Sequence, residues 1–488
     1  FFGSQPKSFF PHPDWRARLD VGALAEYLRF NYVPNRLSIY QGLRQVAPGG
    51  MVTVEDVSPE DGSYRLREEL YWDFRAVAHD GVRQRFQGDL QEAAEELERL
   101  LREAVACRTM ADVPLGAFLS GGIDSSTVVA LMQAESSAPV KTYSIGFPEA
   151  DYDEAPYAKS VAEHLETDHH ELRVPANDAL ALVAKIPEWY DEPSADNSAI
   201  PTYLVSKFAH TGVTVSLSGD GGDELFGGYS WYGFGRMLGE RLAVVPAPLR
   251  HAAAGGLRLL SHEAWDSLAR VVPRNLRPER VGDRVHKLAL LLDLPNPDEV
   301  YRYLVGQWHD PAAVSPLVVR RDDGDWRGTG PTDVPDFTER MMYYDTLSYL
   351  PDDILTKVDR ASMAVSLEAR VPFLDHRVVE FAWRLPRSFK IEGSLTKRVL
   401  RQVLQRHVPR ALFDRPKQGF EQPIAHWLRG PLRDWAEENL NERQLSSEGI
   451  FDPAPIRARW QEHLSGQRNW QYPIWNILMF QEWKRYWM

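Results

Sequence analysis

A single cysteine, Cys107, stands among 488 residues. One thiol forms no internal disulfide and no multi-cysteine zinc site, which fits a reducing, cytoplasmic compartment. Nor do apolar residues run uninterrupted for the ~20 positions of a membrane span. The longest candidate, LAVVPAPLRHAAAGGLRLL at 242–260, is broken by Pro, Arg and His. Positive charge is short as well, 56 Lys and Arg against 69 Asp and Glu for a formal net charge of −13. That balance argues against a protein that coats nucleic-acid phosphates. There is no Gly-Lys pair anywhere in the chain, so the phosphate loop G-x-x-x-x-G-K-S/T is excluded. The dinucleotide pattern G-x-G-x-x-G follows no strand-like run, which removes the ordinary dehydrogenase. Internal repeats, heptads and low-complexity tracts are lacking, and no secretory signal opens the sequence. Its first ten residues, FFGSQPKSFF, lack an initiator Met and read as the inside of a strand, as expected of a fragment of a longer protein.

What is present is ordinary globular composition, 43% hydrophobic and 26% charged. The length exceeds what one core usually serves, so two domains are expected, with room for a third. Residues 1–75 mix a short strand, an amphipathic helix at VGALAEYLRF, a Pro/Gly-rich stretch and the alternating MVTVED. The stretch DLQEAAEELERLLREAVACRTM, 89–110, lines up Leu97, Leu100, Leu101, Ala104 and Val105 and offers Glu95/Arg99 and Glu98/Arg102 as i,i+4 pairs. It is predicted to be a helix, with Cys107 as a small core residue on its buried face. Strand-like VPLGAFL, KTYSIGF, HHELRV and VTVSLSG then alternate with helical STVVALMQAE, EAPYAKSVAEHL and IPTYLVSKFAH. That rhythm predicts an α/β fold, a parallel sheet with helices on both faces. From about 235 onward helical patterns dominate, interrupted by RRDDGDWRGTGPTDVPD, 320–336, which reads as a long loop.

In such a sheet ligands bind beyond the carboxyl ends of the strands. FLSGGIDSST, 118–127, sits at one such end. Gly121 and Gly122 let backbone approach an anion, Ser120, Ser125 and Ser126 add hydroxyls, and the following helix adds free N–H groups. Asp124 is out of place in a pure anion cradle, and a magnesium ion shared with phosphates would explain it. A second glycine-rich loop, SLSGDGGDELFGGY at 216–229, holds Asp220, Asp223 and Glu224 at another strand end, where acids serve metal binding or proton transfer. His169 and His170 lack partners at metal-ligand spacing and are predicted to sit at a strand edge.

These two motifs, with LEARVPFLD at 367–375 and RPKQGF at 415–420, resemble the synthetase half of glutamine-dependent asparagine synthetases. The resemblance covers nearly all of 90–488 and implies the PP-loop pyrophosphate-binding fold, with a core over about 89–235 and a helical part over about 236–488. It further implies that 1–75 is the end of an N-terminal nucleophile glutaminase domain and 76–488 the synthetase domain. Gln5 stands where that family tends to have an acid. Carried onto this chain, the resemblance assigns ATP and pyrophosphate to Leu119, Ser120, Gly121, Gly122, Asp124, Ser125, Ser126, Ile145, Gly146, Ser218 and Gly219. It assigns Mg2+ to Asp124 and Asp223. Asp220 is placed near the reacting centre, and Lys417 against charge developing in the transition state. Glu224, Asp353 and Glu368 are candidates for the acceptor pocket, the last two from LPDDILTKVDRASM and LEARVPFLD. An ion-pair network is the other reading of that Asp/Lys/Arg helix face.

The implied reaction is asparagine formation from aspartate through a β-aspartyl-AMP intermediate. Ammonia would come from glutamine in the full-length protein, since the family's N-terminal cysteine nucleophile is not in this chain. Asn197 stands about where asparagine synthetases have an arginine for the substrate carboxylate. A relative acting on another carboxylate, such as a lactam or peptide cyclase or a polysaccharide amidotransferase, is therefore kept as an alternative. A non-catalytic nucleotide-binding module is a third reading, and a tRNA-modifying PP-loop enzyme is disfavoured by the acidic charge. Only small-molecule partners are expected, neither nucleic acid nor membrane, and the resemblance leaves room for a homodimer.

Overall fold

The computed structural model describes every residue except 59, 61, 148–152, 176–178, 270–280, 320–333 and 416–421. Most of the loop expected at 320–336, and Lys417 itself, lie outside the described residues. The opening residues are not a strand: Pro6–Phe9 is a short 3-10 helix. Proline at its first position fixes φ and carries no N–H for a ladder, which favours that turn. Helix Val21–Phe30 follows, with Asp20 capping Ala23 at 2.9 Å. Strands β1 (Gly50–Glu55) and β2 (Arg65–Leu70) then form an antiparallel hairpin.

Helix Leu90–Thr109 starts in a reciprocal capping box, Glu92 N–H donating to Asp89 at 2.9 Å and Asp89 N–H to Glu92 at 2.8 Å. Its buried stripe is the one predicted, except that Cys107 is exposed. At 3.6 residues per turn the stripe runs from Leu100 round to Val105, and position 107 falls roughly 20° outside it. Arg102 reaches Glu98 at 3.5 Å, but Arg99 binds Glu96 and Glu103 in place of Glu95, which pairs with Arg406 at 3.4 Å.

Strands β3 (Leu115–Phe118), β4 (Lys141–Gly146), β5 (Asp168–Arg173), β6 (Val215–Leu217) and β7 (Glu368–Arg370) build one parallel sheet in the order β5-β4-β3-β6-β7. From central β3 the chain moves outward to β4 and β5, then crosses back to β6 on the other side. The loops after β3 and β6 thus diverge at a topological switch point, where open α/β sheets bind ligands. His169 and His170 lie on outer strand β5 as expected, His169 Nδ1 2.9 Å from Thr142 Oγ1. Between β3 and the neighbouring helices, Ile123–Glu135 buries Val128 through Met132 without a break. A helix apolar on all sides belongs in a core.

The chain divides into two compact units, one of Phe1–Gly228, Gln307–Pro331 and Tyr343–Met488, the other of Tyr229–Gly306 and Thr332–Met342. The first contains the sheet and also the N-terminal segment. There Tyr27 donates to the Asn476 carbonyl at 2.7 Å, and Glu192 accepts from Ser38 Oγ and the Ile39 N–H, both at 2.7 Å. The second is helical around a small core of Leu238, Leu291 and Val300. No helix among the described residues is long and apolar enough to cross a membrane.

Candidate active site

Strand β3 ends at Phe118 and the chain turns sharply through Ser120–Gly122. Gly121 takes φ +73°, and a β-carbon there would lie 2.6 Å from the Tyr157 carbonyl carbon. Only glycine fits such an approach. Gly122 stands at the N-cap of helix Ile123–Glu135 and supplies no side-chain cap, so an anion can take the first amides. The Ser120 and Ser125 hydroxyls meet at 3.0 Å, and the Ser120 N–H donates to Ser125 Oγ at 3.2 Å. Ser126 is fully buried, its hydroxyl without a hydrogen-bond partner among the described residues. Leu119, at the strand end, and Ile145 and Gly146, at the end of adjacent β4, are buried.

The loop after β6 interlocks with this one. A β-carbon on Gly219 would lie 2.7 Å from the Ser125 nitrogen, and one on Gly222 would strike the Asp124 carboxylate. Close contact brings Asp124 and Asp223 to either side of the Lys397 ammonium, which donates to Asp124 and lies 2.6 Å from Asp223 Oδ1. The lysine side chain is only 6% exposed. Burial alone would push its pKa down, but the two carboxylates reverse this and hold the ammonium charged well above the lysine range. Two oxygen donors converging on one cation also suit magnesium, with phosphate oxygens to complete the shell. Among the described residues no cluster of three His, Cys, Asp or Glu forms a metal site without such help.

Beside the second loop lies a buried ionic group. Lys357 Nζ donates to Ser198 Oγ at 2.7 Å and to Asp196 at 3.1 Å, and Asp196 accepts from the Ser198 N–H and hydroxyl, both at 2.6 Å. Burial would raise the Asp196 pKa, yet Lys357 and these hydrogen bonds bring it below the ordinary value. Asp353 goes the opposite way, raised well above the carboxylate range by burial and then by the Asp196 charge, to which it is hydrogen-bonded. Both effects favour the neutral form of Asp353. Asp220, bonded to the Ser218 hydroxyl, is raised by burial too. Glu224 is 1% exposed and, with Asp353 and Asp196, adds to the field that helps burial raise the Tyr349 hydroxyl.

The structure thus gathers Ser120 through Ser126, Ser218 through Glu224 and Asp353 at one end of the sheet. It does not bring Glu368 there. Glu368 starts β7 opposite Val215, so the parallel register leaves it at the far end of the strand, exposed and bonded to Arg370 at 2.8 Å. Sequence reasoning missed Lys397, Asp196 and Ser198, while Lys357 stood on the Asp/Lys/Arg helix face read as an ion-pair network or an acceptor pocket. Lys397 stands just ahead of helix Arg398–Gln405 at φ +54°, where a basic residue opposes the helix dipole, and no motif in the sequence ties it to its partners.

A parallel sheet with two interlocked glycine-rich loops and paired carboxylates at its switch point defines an α/β protein that binds nucleotide phosphates. The family described as asparagine synthase matches residues 96–485, and this chain belongs to that family. Its sheet is therefore of the PP-loop type, and the chain is an ATP-dependent amide ligase of the family. It is 29% identical over 491 residues to asparagine synthetase (glutamine-hydrolyzing) 1 of Bacillus subtilis, covering 99% of this chain and 71% of that one. Against a Mycobacterium bovis protein provisionally named as an asparagine synthetase of the same type, it is 31% identical over 478 residues, 95% of this chain and 67% of the other. More distant is Amidase chyE of Penicillium rubens, 24% identical over 457 residues, 85% and 64% of the two chains.

Proposed function

We propose that the chain forms asparagine from aspartate by way of an acyl-adenylate, with ammonia derived from glutamine when residues 1–75 are part of a whole glutaminase domain. The convergence of both loops on Lys397 carries this reading. An oxygen of the acceptor carboxylate attacks the α-phosphorus of ATP, the bond from that phosphorus to the bridging oxygen breaks, and pyrophosphate leaves with the electron pair. Ammonia then attacks the acyl carbon, AMP departs, and the nitrogen gives up a proton, for which Asp220 with its raised pKa is suited. Gly121, Gly122, Ser120 and Ser125 hold the departing phosphates, while Leu119, Ile145, Gly146, Ser218 and Gly219 wall the nucleoside. Ser126 supports the loop from its buried side. Asp124 and Asp223 would hold Mg2+, which when bound neutralises phosphate charge. Lys397 answers part of that charge from between them, and Lys417 is assigned the same task at the α-phosphoryl group.

A second reading has the same chemistry acting on another carboxylate. Asn197 in place of an arginine favours it, as does a neighbourhood where Asp196 already occupies Lys357. Supplying ATP, Mg2+, ammonium and either aspartate or other carboxylates decides between them. Asparagine formed in step with pyrophosphate supports the first reading; ATP bound but silent with aspartate and active with another carboxylate replaces it by the second. The protein is proposed to work in the cytoplasm on small molecules alone, and a homodimer fits this role.

A further inference from the structure

We propose that Arg415 is a positioning residue of the adenylation site, clamping the phosphate loop against the start of helix Ala155–Leu165. This rests on the adenylating reading above. Its guanidinium Nη2 donates to the Ser120 carbonyl at 3.3 Å and to Glu154 Oε1 at 3.0 Å. Its flat face lies over the Tyr157 ring at 4.0 Å. Arg415 and Glu154 side chains are 15% and 9% exposed, so water screens the pair poorly. The backbone at Tyr157 and Ala158 is the surface against which Gly121 packs, so close that a β-carbon on Gly121 would stand 2.6 and 2.7 Å from it. One side chain therefore ties together the loop and the wall behind it.

The peptide that Arg415 grips gives the contact its consequence. Ser120 C=O and Gly121 N–H belong to one planar trans unit, so holding the carbonyl toward Arg415 directs the Gly121 N–H the opposite way. That amide belongs to the turn proposed to cradle pyrophosphate. In sequence Arg415 precedes Lys417 by two positions. A fork that bonds while its face stacks is particular to arginine; a lysine ammonium cannot do both.

The test uses the full chain with Arg415→Met, Arg415→Lys and Arg415→Ala, and with Arg410→Met as control. Arg410 is 61% exposed and pairs with Asp414. Hydrogen exchange at the amides of Gly121–Ser125 and steady-state pyrophosphate release are measured together. Arg415→Met is expected to speed loop exchange and to lower kcat about 100-fold, the usual loss for a misplaced reacting group, with a smaller rise in the ATP KM. Arg415→Lys is expected to recover little, and added guanidinium ion to restore part of the Arg415→Ala rate while leaving Arg410→Met unchanged. Unchanged loop exchange in Arg415→Met, or full activity in Arg415→Lys, overturns the clamp. Should wild type release no pyrophosphate with any acceptor, the adenylating reading fails, and loop exchange alone then decides the clamp: faster in Arg415→Met upholds it, unchanged overturns it.

Discussion

At Lys397 one ammonium meets two carboxylates almost out of reach of water. Removing it leaves Asp124 and Asp223 facing each other, and breaking such a buried set costs about 3–5 kcal/mol. Lys397→Met is expected to lower Tm, and added Mg2+ with ATP to recover part of that loss, because a divalent cation can take the vacated charge. A thermal melt with and without Mg2+ and ATP checks this; equal melts contradict it. Gly121→Ala is expected to weaken ATP binding and to cost stability by about 1–2 kcal/mol from the left-handed backbone, since its φ is +73°. Calorimetric titration of ATP measures the first effect, and unchanged affinity counts against the loop as the phosphate cradle. The glycines and acids of this site were legible because they lie in contiguous motifs. Lys397 was not: its partners stand 273 and 174 positions away, 397 less 124 and 397 less 223, and only the fold joins them.

Among the elements, the stretch Asp345–Leu355 winds as a π-helix with Pro351 inside it, and buries both Asp352 and Asp353. Such wide turns cluster at functional sites. Because burial and the Asp196 charge favour the neutral form of Asp353, Asp353→Asn is expected to leave the fold nearly as stable as wild type. Asp196→Asn instead strips Lys357 of its nearest anion and is expected to cost about 3–5 kcal/mol. Urea unfolding of the pair measures this contrast, and equal losses contradict the assigned protonation. Sequence alone left the Asp/Lys/Arg face open between an ion-pair network and an acceptor pocket, and the structure shows the network for Lys357 and Asp196. Strands β3, β4 and β6 were readable from their apolar runs, and β5 from its place in the strand-helix alternation. By contrast β2 (RLREEL) and β7 (EAR) were not, since their side chains are mostly charged and pairing with a neighbour makes them strands. Glu368 was misplaced for the same reason, its end of the sheet being fixed only by register.

Over the whole molecule, the strand-helix rhythm and the glycine-rich loops foretold the parallel α/β core, and the change to helical patterns at about 235 lies near Tyr229, where the second compact unit begins. The return to the first unit after it was not legible, because the chain beyond Tyr343 is helical too. Acid stability offers a test of the C-terminal packing. Burial, then the Arg429 charge, pushes His463 down to about 4 from an ordinary 6.5. Between those values the unfolded chain binds the proton and the folded one does not, so this contribution is complete above 6.5 and is lost as pH falls toward 4. Melting temperature followed across that window should fall less steeply in His463→Gln than in wild type; parallel curves contradict it.

The central claim is attack at the α-phosphorus, and oxygen tracing tests it most directly. Acceptor carboxylate labelled with oxygen-18 is turned over with ATP, Mg2+ and ammonium, and the products are read by mass spectrometry. One labelled oxygen in AMP, with unlabelled pyrophosphate, is the expected result. Label in inorganic phosphate beside ADP would place the attack at the γ-phosphorus and contradict the adenylating site.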